Sequence, residues 1–309
     1  MNAHLQPAPD DRSAWLAERR TGIGGSDVAP ILGLSPYRTP LDVYREKRGE
    51  VGDDSDSAPM LWGRLLEPVI RQRYSDVTGR AVLVPDGMLR HQRHHFMVAN
   101  LDGFTEDRRV FEAKTARTGA GWGEPGTDEV PDAYALQVQH YLAVTGFPVA
   151  DVAVLIGGSD FRIYVVEADP SLQSDLIEAE AEFWDRVVRG DEPPPVSFAE
   201  AQQRYGRLAA AGSVQAAPDV AEAWAEARRL RQQIKDLEAA KEAADAALLN
   251  ALGEAGDTLV GPDGRVLATW KLAKAPQRFD VAAFKAAHPD LAAQFTQPGT
   301  PSRRLLIKD

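Results

Sequence analysis

The sequence predicts an α/β protein, and three observations carry that prediction. Residues 13–78 show helical apolar spacing broken by capping signals. Residues 80–116 change to the shorter period of strands. From 133 to 189 a helix, two strands and a second helix follow in turn, which is the alternation of an α/β domain.

Each element follows from its residues. The first dozen residues are polar and contain prolines, and they read as loose. "SAWLAERRTG" reads as a short helix with Ser13 as its N-cap and Gly22 as its stop. "GGSDVAPILGLS" opens a second helix capped by Ser26 or Asp27. In "TPLDVYREKRGE" Thr39 caps a third, Pro40 takes its first helical position and Gly49 ends it. "VGDDSDSAP" is a polar loop, and Met60–Thr78 an amphipathic helix through Leu61, Leu65, Leu66, Val69, Ile70 and Tyr74. "AVLVPDGMLRH", "FMVANLDGFT" and "RVFEAKTA" read as a three-stranded meander, with "EDRR" as the last hairpin turn. A Gly- and Pro-rich loop at 121–132 leads to a helix over Ala133–Thr145. Two strands joined at Gly157–Asp160 follow, then a helix from Ser171 to Arg189. "GDEPPP" breaks the chain, and the domains are placed at 1–198 and 199–309. The appendage is expected to hold a long helix over 218–252 with a heptad-like seam broken at Lys241, able to pair. A hairpin about Pro262–Gly264, a helical "DVAAFKAAHPDLAAQF" and a closing strand "RRLLIKD" complete it.

Composition narrows the chemistry. The chain has no cysteine, which excludes disulfides, zinc–thiolate sites and iron–sulfur clusters. The N-terminus lacks a signal-peptide core and no apolar run reaches membrane-span length, so the expected address is the cytoplasm. A net charge of -11 excludes coating nucleic acid through bulk positive charge, yet local arginines at 19–20, 64–73 and 90–93 leave a lined groove open. No Gly-rich phosphate loop encodes an ATP motor. His91, His94 and His95 cluster in a turn without carboxylates at metal spacing, and His140 reads as structural.

The chemistry-bearing constellation is Asp102 followed by Glu112 and Lys114 on neighbouring strands. Two such carboxylates can share one hard divalent cation, and Mg²⁺ prefers oxygen ligands. Strand alternation puts Glu112 and Lys114 on one side, so the ammonium points at the same place as the acid. Ala113 packs on the other face while its backbone carbonyl could still reach a metal. The bland alternative is a salt-bridged solvent face. Glu67 on the preceding helix could add a third carboxylate, or simply pair with Arg71 four residues on. Gln137 and Tyr141 lie at i, i+4 on one helix face. Arg19 and Ser26 could form an anion clamp at a helix N-terminus, or be an ordinary cap and a surface arginine.

With "WLAERRTGIGGSD", "WGRLLEP", "NLDG", "FEAK" and "QVQHY" in this order, residues 13–190 resemble the PD-(D/E)xK nucleases. Within them they are most similar to the YqaJ-like viral recombinase and lambda exonuclease group. Two departures stand out: no proline precedes Asp102, and Asn100 stands where some relatives carry a phosphate-binding serine. The resemblance implies a restriction-endonuclease-like fold, a mixed central sheet flanked by helices. It implies a phage-type exonuclease acting 5′-to-3′ on duplex DNA to prepare 3′ single strands for an annealing protein. Glu67, Asp102, Glu112 and the Ala113 carbonyl would hold Mg²⁺, with Mn²⁺ as the alternative. Lys114 would position the attacking water, with Gln137 in support. Arg19 and Ser26 would hold the 5′-phosphate, with Asn100 and Tyr141 on the DNA. The expected partners are double-stranded DNA, a single-strand annealing protein and further copies of the chain, a trimer among the forms the resemblance implies. The expected setting is a bacterial host, the gene carried by a phage or prophage. Two rivals are an endonuclease or junction resolvase on the same fold, and a non-catalytic DNA-binding scaffold.

Overall fold

The computed structural model describes residues 3–7, 12–50, 58–209, 212–299 and 301–308, without the side chains of Arg12 and Ser13. The Ser13 cap and most of the loop expected at 51–59 therefore lie outside the described residues. The chain divides into two compact units, residues 1–196 and 197–309.

The first unit opens with a strand rather than a loose arm. β1 (Ala3–Pro7) pairs antiparallel with β3 (Gly87–His91), Ala3 facing His91 and Pro7 facing Gly87. It is an edge strand buried at Ala3 and exposed at Leu5, so its polar composition hid it. α1 (Arg12–Arg19) ends three residues before Gly22. α2 (Gly25–Ile31) is capped by Gly24, whose N–H donates to Asp27 Oδ2 at 3.0 Å. The expected cap is thus displaced: Ser26 lies inside the first turn, and Asp27 reaches back from the N3 position. α3 (Pro40–Lys47) matches its signals, with a Thr39–Asp42 capping box and Gly49 in the left-handed region at φ 68°. α4 spans Ala58–Thr78 and buries only Ile70 and Tyr74 of its apolar residues.

The expected meander over 80–116 is instead shared between two sheets. β4 (Val98–Ala99) joins β1 and β3 in a three-stranded sheet. β2 (Val82–Leu83) and β5 (Gly103–Thr105) join β6 (Arg109–Ala116), β7 (Val149–Ile156) and β8 (Asp160–Glu167) in a five-stranded one. "FMVANLDGFT" therefore breaks at Asn100–Asp102, where the chain crosses from one sheet to the other. At Gly103 a Cβ would come within 2.3 Å of Val82 Cγ1, so only glycine lets the chain enter the second sheet here. The β5–β6 hairpin turns through Arg108, which takes φ 64°.

The larger sheet is mixed. β6 and β7 run parallel, with α5 (Asp132–Thr145) between them in sequence, while β2–β5, β5–β6 and β7–β8 are antiparallel. Period-2 alternation gives it two apolar faces. Phe111 and Ala153 pack with Ile70 and Tyr74 of α4. Val110, Val152 and Val154 pack with Val138 and Leu142 of α5. α6 (Pro170–Arg189), capped by Asp169, packs outside α5. The unit is thus α/β, with a central mixed sheet between helices.

In the second unit, α7 (Phe198–Tyr205) was not foreseen. α8 (Pro218–Leu252) is the expected long helix, and β9 (Thr258–Val260) with β10 (Val266–Thr269) the expected hairpin. The segment after Asp280 splits into α9 (Val281–Ala287) and α10 (Pro289–Gln294) at the His288–Pro289 step, because proline cannot continue a helix. Residues 303–308 form no strand, since no described strand edge pairs with them.

Candidate active site

β6 carries the centre of the site. Val110, Glu112 and Lys114 alternate onto the face covered by α5, opposite Phe111 and Ala113. Glu112 is almost wholly enclosed, its side chain 3% exposed, while Lys114 keeps 16% and leaves the site reachable from solvent. Glu112 Oε1 accepts from Lys114 Nζ at 2.6 Å and from Gln137 Nε2 at 2.8 Å. Lys114 also donates to Gln137 Oε1 at 3.0 Å and stands 4.7 Å from the centre of the Tyr134 ring. Gln137 closes the network by donating to Tyr141 Oη at 3.0 Å. One helix face, Tyr134–Gln137–Tyr141, thus fixes the ammonium from above. Tyr134 was not singled out in the sequence, although its i, i+3, i+7 spacing with Gln137 and Tyr141 was there to be read.

Asp102 enters from the crossover between the sheets. Its Oδ2 accepts from the Ala113 N–H at 2.8 Å, which ties the acid to β6 beside Glu112. Asn100 is half-buried in the same crossover. Glu67 approaches from α4 and is engaged by Arg71 at 3.0 Å. The three acids sense one another. Burial, then the charge of Asp102, pushes the Glu112 carboxyl up to about 8. Burial and Asp102 raise Glu67 as well, and burial raises Asp102 against the pull of Lys114. Burial alone would lower Lys114, but Glu112 and Asp102 outweigh it and hold the ammonium charged.

The second cluster lies at the start of α2. Arg19 Nη2 donates to Ser26 Oγ at 3.2 Å, so the seven-residue pair does meet. Arg19 is also 3.6 Å from Glu46 and stacks 5.6 Å over Trp15. Beneath it Asp27 is fully buried and holds Lys47 at 2.6 Å and Arg38 at 3.1 Å. Burial alone would raise the Asp27 carboxyl, but Lys47, Arg19 and Arg38 hold it well below the usual range. Arg38 also binds Glu46. This buried anchor went unread because its members lie on α2, α3 and the loop between. Gly25 ties the two clusters together: a Cβ there would meet Tyr141 Cε1 at 2.6 Å and Gln137 Cγ at 3.0 Å. The absent side chain lets α2 lie directly on the helix that carries Gln137 and Tyr141.

The histidines stand apart from this chemistry. His140 bridges Glu180 Oε1 and the Val98 carbonyl, each at 2.9 Å, in the core. His91 Nδ1 accepts from the N–H groups of Arg93 and His94, and burial lowers its pKa to about 4.

The donor set fits a hard divalent cation in its chemistry. Glu112 Oε2 is buried and accepts no hydrogen bond from the described residues; a proton shared with Asp102 can engage it, and a cation can take that proton's place. It lies among carboxylates that repel one another, the situation a cation relieves. As the side chains stand, no three acids or histidines among the described residues converge closely enough to hold a metal, and Glu67 is engaged by Arg71 at 3.0 Å.

Residues 14–148 match the model of the YqaJ-like viral recombinase domain. The chain is similar to the uncharacterized protein YqaJ of Bacillus subtilis, 36% identical over 198 residues, or 63% of this chain and 62% of the relative. A shorter similarity, 43% over 66 residues, links it to protein D345L of African swine fever virus, covering 21% of this chain and 19% of that one. Among solved structures it resembles an alkaline exonuclease from Laribacter hongkongensis, 21% identical with a TM-score of 0.47, over 58% of this chain and 93% of that one. The match to a phage-related exonuclease from Haemophilus somnus has 11% identity and a TM-score of 0.41, over 55% and 96% of the two chains. The site just described falls within residues 14–148, the stretch similar to the YqaJ-like viral recombinase domain, and the chain spans under two thirds of the length of the Bacillus subtilis relative.

Proposed function

We propose that the first unit is a metal-dependent deoxyribonuclease, a phage-type exonuclease that degrades duplex DNA from a 5′ end and leaves 3′ single strands for an annealing partner. The observation that carries this reading is the enclosed Glu112. It is crowded by Asp102, shares Lys114 with Gln137 and has one oxygen that accepts no hydrogen bond from the described residues. A solvated strand face would show none of these features. The similarity of residues 14–148 to the YqaJ-like viral recombinase domain supports a role in recombination, and a bacterial host's cytoplasm is the setting this reading implies.

Glu67, Asp102, Glu112 and the Ala113 carbonyl would hold Mg²⁺ or Mn²⁺, which would supply Lewis-acid charge and an activated water at the phosphodiester. The protein's own groups do the rest. Lys114, held between Glu112, Gln137 and Tyr134, presents a fixed ammonium that orients the attacking water and offsets charge developing on the phosphate. Arg19 and Ser26 bind the terminal 5′-phosphate and so set which bond reaches the acids. Asn100, half-buried in the crossover, and Tyr141, through its hydroxyl beside Gln137, are the further groups assigned to the DNA. The buried Asp27 charge keeps the arginines in place while anion-free. Among the described residues no helix is long and apolar enough to cross a membrane.

The test is a linear duplex labelled at either 5′ or 3′ ends, incubated with and without Mg²⁺ beside a closed circular duplex. Early release of the 5′ label with the circle intact is expected. Nicking of the circle would replace this reading with the endonuclease one.

A further inference from the structure

The second unit leaves one long apolar seam uncovered. Along α8 only Leu252 is buried. Val220, Leu230, Ile234, Leu237 and Leu248 are between 42% and 69% exposed. With Ala223, Ala227, Lys241 and Ala244 between them, these residues follow alternating three- and four-residue steps along the helix, the spacing of a coiled-coil seam. Their repeat is seven residues, with Leu230 and Leu237 in one row and Ile234 and Leu248 in the other. One charge, Lys241, sits in the second row and pairs with Asp245 of its own helix.

We propose that α8 docks antiparallel against α8 of a second copy of this chain, the crossing centred near Lys235–Asp236. In that register the two helices overlap along their whole length. Ile234 meets Leu237 of the other copy, and Ala227 meets Ala244. Lys241 meets Leu230, over which its methylene stem can lie while the ammonium reaches water. Arg231 of each copy flanks Glu238 of the other, once on each side of the two-fold axis. Neither Arg231 nor Glu238 has an ion pair among the described residues of its own chain. The parallel arrangement is worse, because it stacks Lys241 against Lys241 inside the seam. The apolar rows name a helical partner, and this charge pattern selects a second copy.

Sedimentation of the full chain tests the proposal. A dimer is expected, and Leu237→Asp should weaken its association at least about a hundredfold. Arg231→Glu should weaken it several-fold, and adding Glu238→Arg to the same chain should restore it. The thermal transition of the first unit should persist in every variant, which separates lost docking from lost folding. The chain has no native cysteine, so introduced ones report orientation. A mixture of Ala227→Cys and Ala244→Cys chains should cross-link, whereas Ala227→Cys alone should not. A monomer, a trimer, a dimer indifferent to Leu237→Asp, or cross-linking of Ala227→Cys with itself would each overturn the proposal.

Discussion

The Glu112 carboxyl makes the stability of the protein depend jointly on pH and on divalent cation. Without metal, the folded chain keeps a proton on Glu112 up to about 8, whereas the unfolded chain releases it at its ordinary value of 4.5. Stability from this group is therefore fully present below the unfolded value and is lost as pH rises toward 8. At about 1.4 kcal/mol per unit, the loss across that window is about 3–5 kcal/mol. A cation bound to the ionised carboxylate displaces that proton, so its apparent affinity rises up to about tenfold per pH unit in the same window. Between pH 6 and 8 that is up to roughly a hundredfold, or about 3 kcal/mol of extra stabilisation at fixed, saturating Mg²⁺. For a unit of this size the melting temperature would gain about 5–10 °C more from Mg²⁺ at pH 8 than at pH 6. Differential scanning calorimetry in EDTA and in Mg²⁺ at the two pH values reads this directly. Glu112→Gln, which cannot ionise, should flatten the difference. An equal Mg²⁺ shift at both pH values, or an unchanged one in Glu112→Gln, would show that no cation meets this carboxylate.

Three further outcomes follow from the geometry. Arg19→Ala should slow digestion of 5′-phosphorylated duplex by about tenfold to a hundredfold and leave a 5′-hydroxyl duplex nearly unchanged, as expected for a lost charge-assisted contact; equal slowing of both ends would assign Arg19 to the duplex groove instead. Asp27→Asn should destabilise the first unit by about 3–5 kcal/mol, because Lys47 is left buried without its carboxylate, and chemical denaturation would measure it; a cost under ~1 kcal/mol would mean the network is not an anchor. Gly25→Ala should cost about 1–3 kcal/mol and depress cleavage, since its methyl would intrude on Tyr141 at 2.6 Å; a fully stable and active variant would break the proposed coupling between the two clusters.

Much of the first unit was legible in its residues because local signals and tertiary structure agree there. Thr39, Pro40 and Gly49 bracket α3 as capping chemistry requires. Gly157 and Gly158, both at positive φ, turn β7 into β8. What stayed hidden was long-range. β1 is visible only through its partner β3, and nothing in "FMVANLDGFT" announces that its two ends belong to different sheets. The helical spacing of Leu61, Leu65 and Val69 promised burial that α4 does not give them, because periodicity tells which residues share a face and not whether anything covers it. In the site, the Glu112–Lys114 pairing followed from strand alternation alone. The Lys114–Gln137 contact required the α5 crossover, and the Asp27–Lys47 pair required α2 to lie on α3. The Ser26 position was misjudged because Ser, Asp and Gly are all acceptable N-caps, and Asp27 fits the capping-box position better than the cap itself.

The central claim is that Lys114 serves bond cleavage and not only the fold. Its most direct test compares wild-type protein and Lys114→Ala, both verified as folded, on linear duplex DNA in Mg²⁺, with binding to the same DNA measured in parallel. The account predicts that cleavage falls by about a thousandfold or more while binding changes little, as for the loss of a transition-state contact. Full cleavage by folded Lys114→Ala would contradict it and return Glu112 and Lys114 to the role of a buried structural ion pair.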